Sequence, residues 1–107
     1  MAILASGIDH NLDRLYEQFE DEFGFGPCGA YAALRREQGW GDVAACIARS
    51  GHTEFPHYII VQDGDIIDLA NPLGEPLTYH DIEILENNEM PDLCWTGEAI
   101  NWLRERL

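Results

Sequence analysis

Residues 57–69 have the sequence HYIIVQDGDIIDL, in which two apolar, β-branched runs flank the dipeptide Asp63-Gly64. An Asp-Gly pair between such runs is a strong β-hairpin signal, because both central residues of a type I′ turn need a positive φ angle. We therefore predict two antiparallel strands, residues 58–61 and 66–69, joined by a two-residue turn.

The length of that turn decides which polar side chain lies beside His57. With a two-residue turn, Asp68 shares a sheet face with His57 as a diagonal neighbour within side-chain reach. With a three-residue loop and a bulge at Gly64, the parity changes, so that Asn71 shares that face and Asp68 points away. The apolar residues around Asp68 make an unpaired charge costly there, which favours Asp68, with Asn71 as the alternative.

Helices are predicted before this hairpin and after it. Residues 11–23 and 27–38 carry apolar side chains at helical spacing and are each followed by a glycine, and a short helix is expected over residues 42–49. Residues 79–85 are expected to form a third strand, and Thr96 to cap a C-terminal helix. This order predicts one α+β domain of 107 residues, with helices packed on a small antiparallel sheet.

Charge is the most unusual property of the composition. The formal net charge is −14, and all six basic residues are arginines. Such a charge repels the phosphates of nucleic acids and of anionic membranes, so we expect the chain to bind neither. No stretch approaches the roughly 18 apolar residues of a membrane span, and residues 1–7 lack the basic leader of a signal peptide. We expect a cytoplasmic protein; a signal-independent secretion route or delivery into a host cell would need no leader.

The chain has three cysteines, Cys28, Cys46 and Cys94, without a C-x-x-C pair. This spacing speaks against a zinc ribbon or a thioredoxin-type site, and free thiols fit a reducing compartment. Cys46 lies in an apolar run within the expected third helix, and Cys94 has no base spaced for it, so we expect both to be structural.

Cys28 has the surroundings of a nucleophile. The dipole and the free N–H groups of a helix N-terminus favour a thiolate, and a neighbouring imidazolium favours it further. The same N–H groups, that of Cys28 included, can hold the oxyanion of a tetrahedral intermediate. His57 would then act as general base and later as general acid, and Asp68, or alternatively Asn71, would orient its ring.

The other histidines lack such a setting. His10 precedes the first helix, His52 lies in a glycine-rich connection, and His80 has only Asp81 beside it. His52 and His57 are five residues apart and would lie on opposite faces of an extended strand. We therefore expect no metal site and no cofactor.

These residues resemble the papain-like cysteine hydrolase superfamily, in the broad sense that includes transglutaminase-like, NlpC-type and bacteriocin-processing peptidase domains. The resemblance covers residues 25–72, with Gly26-Pro27-Cys28-Gly29 opening an alanine-rich helix. The hairpin is similar to that of transglutaminase-like members. The start of the helix is more similar to the bacteriocin-processing type, in which a polar residue before a proline, here Asn71, is the third member. The resemblance thus leaves Asp68 and Asn71 both open.

The family implies a helix that carries the cysteine, packed against an antiparallel sheet that carries the histidine and its acid. It also implies attack on an amide or ester carbonyl and an acyl-enzyme. Many papain-like members have a glutamine shortly before the cysteine as an oxyanion donor. Here Gln18 lies ten residues upstream of Cys28 inside a predicted helix, so the second donor is unassigned.

The sequence therefore predicts a small cysteine hydrolase with Cys28, His57 and Asp68 as its catalytic residues. It would act as a peptidase, amidase, deamidase or transglutaminase-like acyl transferase, and the acidic composition points to a cationic protein or peptide substrate. The alternative is a non-enzymatic, acidic binding or inhibitor protein on a papain-like scaffold, which the net charge of −14 and the small size favour.

Overall fold

The computed structural model describes residues 3–86 and 97–107, over which the chain forms three helices and five strands. In chain order the elements are β1 (Ile3–Ser6), α1 (His10–Phe23), α2 (Cys28–Glu37), β2 (Asp42–Ser50), β3 (Thr53–Gln62), β4 (Asp65–Asp68), β5 (Thr78–Ile84) and α3 (Gly97–Arg106). The predicted α+β class is confirmed. Thr96, the predicted helix cap, and Cys94 lie outside the described residues. None of the helices described is both long and apolar enough to cross a membrane.

The strands form one five-stranded sheet in the order β1-β4-β3-β2-β5. β2 pairs antiparallel with both β3 and β5, and β3 pairs antiparallel with β4, whereas β1 runs parallel to β4. The sheet is therefore mixed rather than purely antiparallel. Strand β1 was not predicted, because its partner β4 lies far along the chain and no turn sequence connects the two strands.

The turn between β3 and β4 has the predicted geometry. Gln62 pairs with Asp65, and the two residues of Asp63-Gly64 between them have φ angles of 50° and 84°. Glycine has no Cβ to clash in this left-handed region, and aspartate is among the few other residues that visit it routinely. The two-residue turn fixes the parity of the hairpin, so Asp68 lies on the same face as His57.

Residues 42–49 form strand β2, and the predicted short helix is wrong. The segment is rich in alanine, which favours helices, and it does not alternate between polar and apolar residues. The alternation is missing because both faces of β2 are covered. Val43 packs with the helices, whereas Ala44 and Cys46 belong to a second apolar cluster on the opposite face. Burial between two neighbouring strands overrides the helical propensity of the alanines.

One face of the sheet is covered by the helices. Helix α1 begins after its N-cap Asp9, whose carboxylate accepts the N–H of Asn11 at 2.9 Å. Helix α3 is held by Trp102, whose ring packs edge-on against Phe19 with centroids 5.6 Å apart. The buried large side chains of this core, each contributing about 1.5–3 kcal/mol, include Leu12, Phe19, Leu34, Val43, Ile60 and Leu103.

The opposite face carries a smaller apolar cluster, formed by Ala44, Cys46, Ile59, Val61 and Ile66. The hydroxyl of Ser6 on β1 lies 2.9 Å from that of Tyr79 on β5, although these strands form the two edges of the sheet. The sheet therefore curls around this cluster. Side chains alternate along a strand, so His57 points to the same face as Ile59 and Val61. The predicted histidine and its acid thus lie on the face that the helices do not cover.

Candidate active site

Cys28 is the first residue of α2. Buried Pro27 occupies the N-cap position, and its carbonyl accepts the N–H of Tyr31 at 2.8 Å as the first bond of the helix. The N–H groups of a first helical turn have no carbonyl partner within the helix, so the amide of Cys28 is a donor placed next to its own thiol. Cys28 is partly exposed.

The thiol reaches the sheet where β3 and β4 separate. Strand β4 pairs with β3 only through residues 60–62 of β3, and residues 69–71 bond instead to residues 7–9. Cys28 and Leu69 lie on the walls of a cavity of about 10 Å³ at this divergence, which is room for a single water molecule. Asp68, the predicted partner of His57, also lines this cavity.

His57 is the buried centre of the site, with 2 % of its surface exposed. Its Nε2 lies 2.9 Å from Oδ2 of Asp68, which is 1 % exposed. The side chain of Cys28 lies close enough to the imidazole to raise the pKa of His57. Because Asp68 engages Nε2, Nδ1 is the ring nitrogen that can face the thiol. Cys28, His57 and Asp68 therefore lie together at one site.

Asp68 is held by three donors. Oδ2 accepts the hydroxyl of Tyr79 at 2.7 Å and lies 2.9 Å from Nε2 of His57, while Oδ1 accepts the N–H of Ala70 at 3.1 Å. Two fixed donors, one on each oxygen, favour the ionised carboxylate, which can only accept from His57. Nε2 of His57 therefore carries a proton, and Nδ1 accepts in the neutral ring and donates in the imidazolium. This is the tautomer that a base facing the thiol requires.

The pKa of His57 is raised to about 9. Burial by itself would lower this pKa, but the hydrogen bond with Asp68 and the nearby side chain of Cys28, and then the charges of the same two groups, outweigh burial. The imidazolium therefore persists at neutral pH, and a thiolate at Cys28 has a positive charge next to it.

Asn71, the alternative third residue, is also buried, but its side chain forms hydrogen bonds within the loop that follows β4. Its amide donates to the carbonyl of Glu75 at 2.6 Å, and its Oδ1 accepts the N–H of Leu73 at 2.9 Å. Within the described part of the chain it is Asp68, rather than Asn71, that contacts His57.

Tyr79 and Cys46 also lie at the site and were not assigned to it from the sequence. Tyr79 lies on a predicted strand, but its contact with Asp68 depends on the curl of the whole sheet. Cys46 pairs directly with His57 across β2 and β3. Burial, followed by the negative charges of Asp68 and Cys28, raises the pKa of Cys46 to about 12, so it remains a neutral thiol.

Tyr16 of α1 also lies near Cys28. Burial, and then the negative charge of Cys28, raise the pKa of its phenol. A Cβ atom placed on Gly26 would lie 3.1 Å from the Tyr16 hydroxyl, so this hydroxyl lies against the loop that leads into Cys28. Tyr16 lies within the predicted helix of residues 11–23, and its place in that helix gave no reason to assign it to the site.

The remaining histidines lie apart from this centre. His52 is exposed in the turn between β2 and β3, His10 begins α1, and Nε2 of His80 lies 2.9 Å from the hydroxyl of Thr78. Among residues 3–86 and 97–107 the structure contains no group of three His, Cys, Asp or Glu side chains arranged to hold a metal ion.

Neither a protein-family model, a curated protein nor a solved structure matches this chain. The likeness to papain-like hydrolases therefore stays a prediction, and function is inferred from the geometry of the site.

Proposed function

We propose that this protein is a cysteine hydrolase of the papain-like kind, with Cys28 as nucleophile, His57 as base and acid, and Asp68 as orienter. The observation that carries the proposal is the buried pair of His57 and Asp68, 2.9 Å apart, beside the helix-terminal thiol of Cys28, which is close enough to raise the pKa of His57. A nucleophile within reach of a base that a third group orients is the arrangement that activates weak nucleophiles.

The reaction follows from the proton positions. The Cys28 thiolate attacks the carbonyl carbon, and the carbonyl electrons move onto oxygen to give a tetrahedral oxyanion. His57 then donates its Nδ1 proton to the leaving amine or alcohol as that bond breaks, which leaves an acyl-enzyme on Sγ. A water molecule gives a proton back to Nδ1 as it attacks, and departure of the thiolate releases the acid. An amine in place of water gives acyl transfer.

The oxyanion needs donors close to Sγ. The Cys28 amide is one, because it lies in the first turn of α2, where the helix offers it no carbonyl. We assign the second donor to the Tyr16 hydroxyl, which lies against Gly26 and is close enough to Cys28 for the charge of the thiolate to raise its pKa. This assignment replaces the glutamine that is missing upstream of the cysteine.

The substrate we propose is a cationic peptide or protein segment. An open groove of about 520 Å³ runs along α1 beside Tyr16, and its walls include Asp13, Glu17 and Glu20. Three carboxylates on one wall, in a chain of net charge −14, attract lysine and arginine side chains. The cavity behind Cys28 holds no more than one water molecule, so the substrate is bound along the surface.

The test is the pH dependence of iodoacetamide alkylation, read peptide by peptide by mass spectrometry. At pH 6 we expect Cys28 to react about tenfold faster than an ordinary thiol, because its thiolate is paired with an imidazolium. His57→Ala should abolish this advantage. Cys46 is the internal control, because burial and nearby negative charge keep its pKa at about 12 and its thiol unreactive.

Two outcomes would overturn the proposal. One is an ordinary thiol profile at Cys28 that His57→Ala leaves unchanged. The other is formation of an acyl-enzyme from p-nitrophenyl acetate in Cys28→Ala that matches the wild type.

A second candidate is an acidic binding or inhibitor protein that keeps the scaffold without the reaction. The burial of His57, which is only 2 % exposed, favours it, because a leaving group must approach this ring from the side of Cys28. An unreactive Cys28, together with saturable binding of polyarginine that Glu17→Gln and Glu20→Gln weaken, would support this candidate instead.

A further inference from the structure

We propose that Tyr79 is a positioning residue of this site, which shares Oδ2 of Asp68 with His57 and thereby limits how strongly Asp68 binds the imidazolium. The inference deepens the proposed function and rests on it. Tyr79 comes from β5, an edge strand whose sequence gives no sign of a catalytic role.

The direction of each hydrogen bond follows from the number of protons available. The hydroxyl of Tyr79 has one proton, and it donates this proton to Asp68 at 2.7 Å. The hydroxyl of Ser6, 2.9 Å from that of Tyr79, must therefore donate to the Tyr79 oxygen. The result is a one-way chain, from Ser6 to Tyr79 to Asp68, which ends at the oxygen that His57 also uses.

Two donors on one oxygen compete. The positive end of the Tyr79 O–H dipole neutralises part of the charge on Oδ2, so Asp68 attracts the proton on Nε2 of His57 less strongly than it would alone. The same bond fixes the rotation of the carboxylate, whose Oδ1 is held by the Ala70 N–H. Tyr79 therefore acts on both the orientation and the basicity of His57.

Several titratable groups surround His57 and Asp68. Asp68 from β4 hydrogen-bonds the ring, Cys28 from α2 lies close enough to raise its pKa, and Cys46 from β2 faces it as a neutral thiol. Burial, and then the charge of Asp68, raise the pKa of Tyr79 well above its ordinary value, so it remains a protonated donor over the working range of pH.

The experiment compares the titration of His57 by NMR in the wild type and in Tyr79→Phe, with His57→Ala used to assign the resonance. The ring of phenylalanine keeps the packing and removes only the donor. We expect the His57 midpoint to rise by about half a pH unit or more, which corresponds to the loss of part of one hydrogen bond. Tyr31→Phe is the matched control, because it removes a hydroxyl that binds a different carboxylate, that of Asp9, at 3.0 Å.

Ser6→Ala provides a second variant that leaves the tyrosine in place. It removes the donor to the Tyr79 oxygen, so it should shift the His57 midpoint in the same direction and by less. A midpoint that stays constant or falls in folded Tyr79→Phe would refute the positioning role. A purely structural role of the edge contact would lower the melting temperature and leave the midpoint in place.

The alkylation profile separates this failure from failure of the proposed function. If wild-type Cys28 reacts quickly at pH 6 only when His57 is present, the site is active, and an unmoved midpoint in Tyr79→Phe refutes the role of Tyr79 alone. If Cys28 reacts as an ordinary thiol with or without His57, the proposed function fails, and the positioning role fails with it.

Discussion

Nε2 of His57 and Oδ2 of Asp68 lie 2.9 Å apart, with at most 2 % of either residue exposed, so the charge of each depends on the other. A buried ion pair is costly to break, because the remaining charge has neither a partner nor water. In the proposed mechanism this relationship sets the reactivity of Cys28, and the raised pKa of His57 makes the stability of the fold depend on pH.

Asp68→Asn changes the charge of this pair and little else. An asparagine cannot supply the negative charge that keeps the imidazolium at neutral pH, and burial alone lowers the pKa of His57. We expect the NMR midpoint of His57 to fall below about 6.5 and alkylation of Cys28 at pH 6 to slow about tenfold. Asp63→Asn is the matched control, because Asp63 is an exposed turn residue with a positive φ angle that asparagine tolerates. Equal effects of the two variants would contradict the assignment of Asp68.

The raised pKa of His57 also predicts how stability changes with pH. The native protein binds this proton more tightly than the unfolded chain does, since the pKa rises from 6.5 to about 9 on folding. The resulting stabilisation is complete below pH 6.5 and is lost as the pH rises through about 9. Urea unfolding should show a free energy that falls by up to about 3 kcal/mol over this range, and His57→Gln should remove that slope. A variant with the wild-type slope would show that another group carries it.

Tyr16→Phe should separate the oxyanion site from activation of the thiol. Alkylation by iodoacetamide passes through no tetrahedral oxyanion, so its rate at Cys28 should stay within about twofold of the wild type. Acylation by p-nitrophenyl acetate does form an oxyanion, and losing one donor should slow it about a hundredfold. An unchanged acylation rate would remove Tyr16 from the oxyanion site, whereas equal slowing of both reactions would mean that it acts on the thiolate.

The sequence predicted the elements whose signals are local. The Asp63-Gly64 turn, the glycine that ends α1 and the start of α2 are each specified by a few adjacent residues, and the structure has all of them. Strand β2 was mistaken for a helix because both of its faces are buried and its alanines carry no alternation. Burial of both faces depends on the assembled sheet and on the two apolar clusters that pack against it, so it cannot be predicted from residues 42–49 alone.

The same distinction applies to the site. The parity of one hairpin was enough to place His57 beside Asp68. The contacts of Asp68 with Tyr79, and of Tyr79 with Ser6, join three strands that are distant in sequence, and they require the two edges of the sheet to meet. No pattern within one segment specifies that curvature.

Asp9→Asn tests the junction that joins α1 to α2. Asp9 caps α1 and also accepts bonds from the hydroxyl of Tyr31 at 3.0 Å and from Arg35 at 3.2 Å. The guanidinium of Arg35 in turn lies over the rings of Tyr31 and Trp40, at 4.8 and 4.7 Å from their centroids. Asparagine keeps the cap and loses the charge, so we expect a loss of about 1 kcal/mol in urea unfolding at pH 7.

Its pH dependence is the opposite of that of His57. Burial tends to raise the pKa of Asp9, but the N–H of Asn11 and the Tyr31 hydroxyl, with Arg35, lower it overall. The stabilisation is therefore present above the ordinary carboxyl pKa and is lost as the pH falls through the lower value of the folded state. Asp13→Asn removes a charge from the same helical turn and is the control. Equal losses in both variants at pH 7 would mean that the helix terminus, rather than the Arg35 junction, carries the effect.

Gly41→Ala should be among the most damaging small changes in the chain, because the backbone of β3 passes directly over this residue. A Cβ atom on Gly41 would lie 2.4 Å from the carbonyl oxygen of Val61 and 3.0 Å from its carbonyl carbon, and backbone atoms cannot swing aside as a side chain can. Gly41 also has a φ angle of 153°, which side chains disfavour. Relief requires β2 to move away from β3 where Asp42 pairs with Val61, next to the turn that sets the parity of His57 and Asp68. We expect the free energy of unfolding in urea to fall by about 3 kcal/mol or more, together with slower alkylation of Cys28.

Gly7→Ala is the control, since no atom lies within 4 Å of its added Cβ, and it should unfold like the wild type. A Gly41→Ala protein as stable as Gly7→Ala would mean that the two strands are not as close as the structure has them.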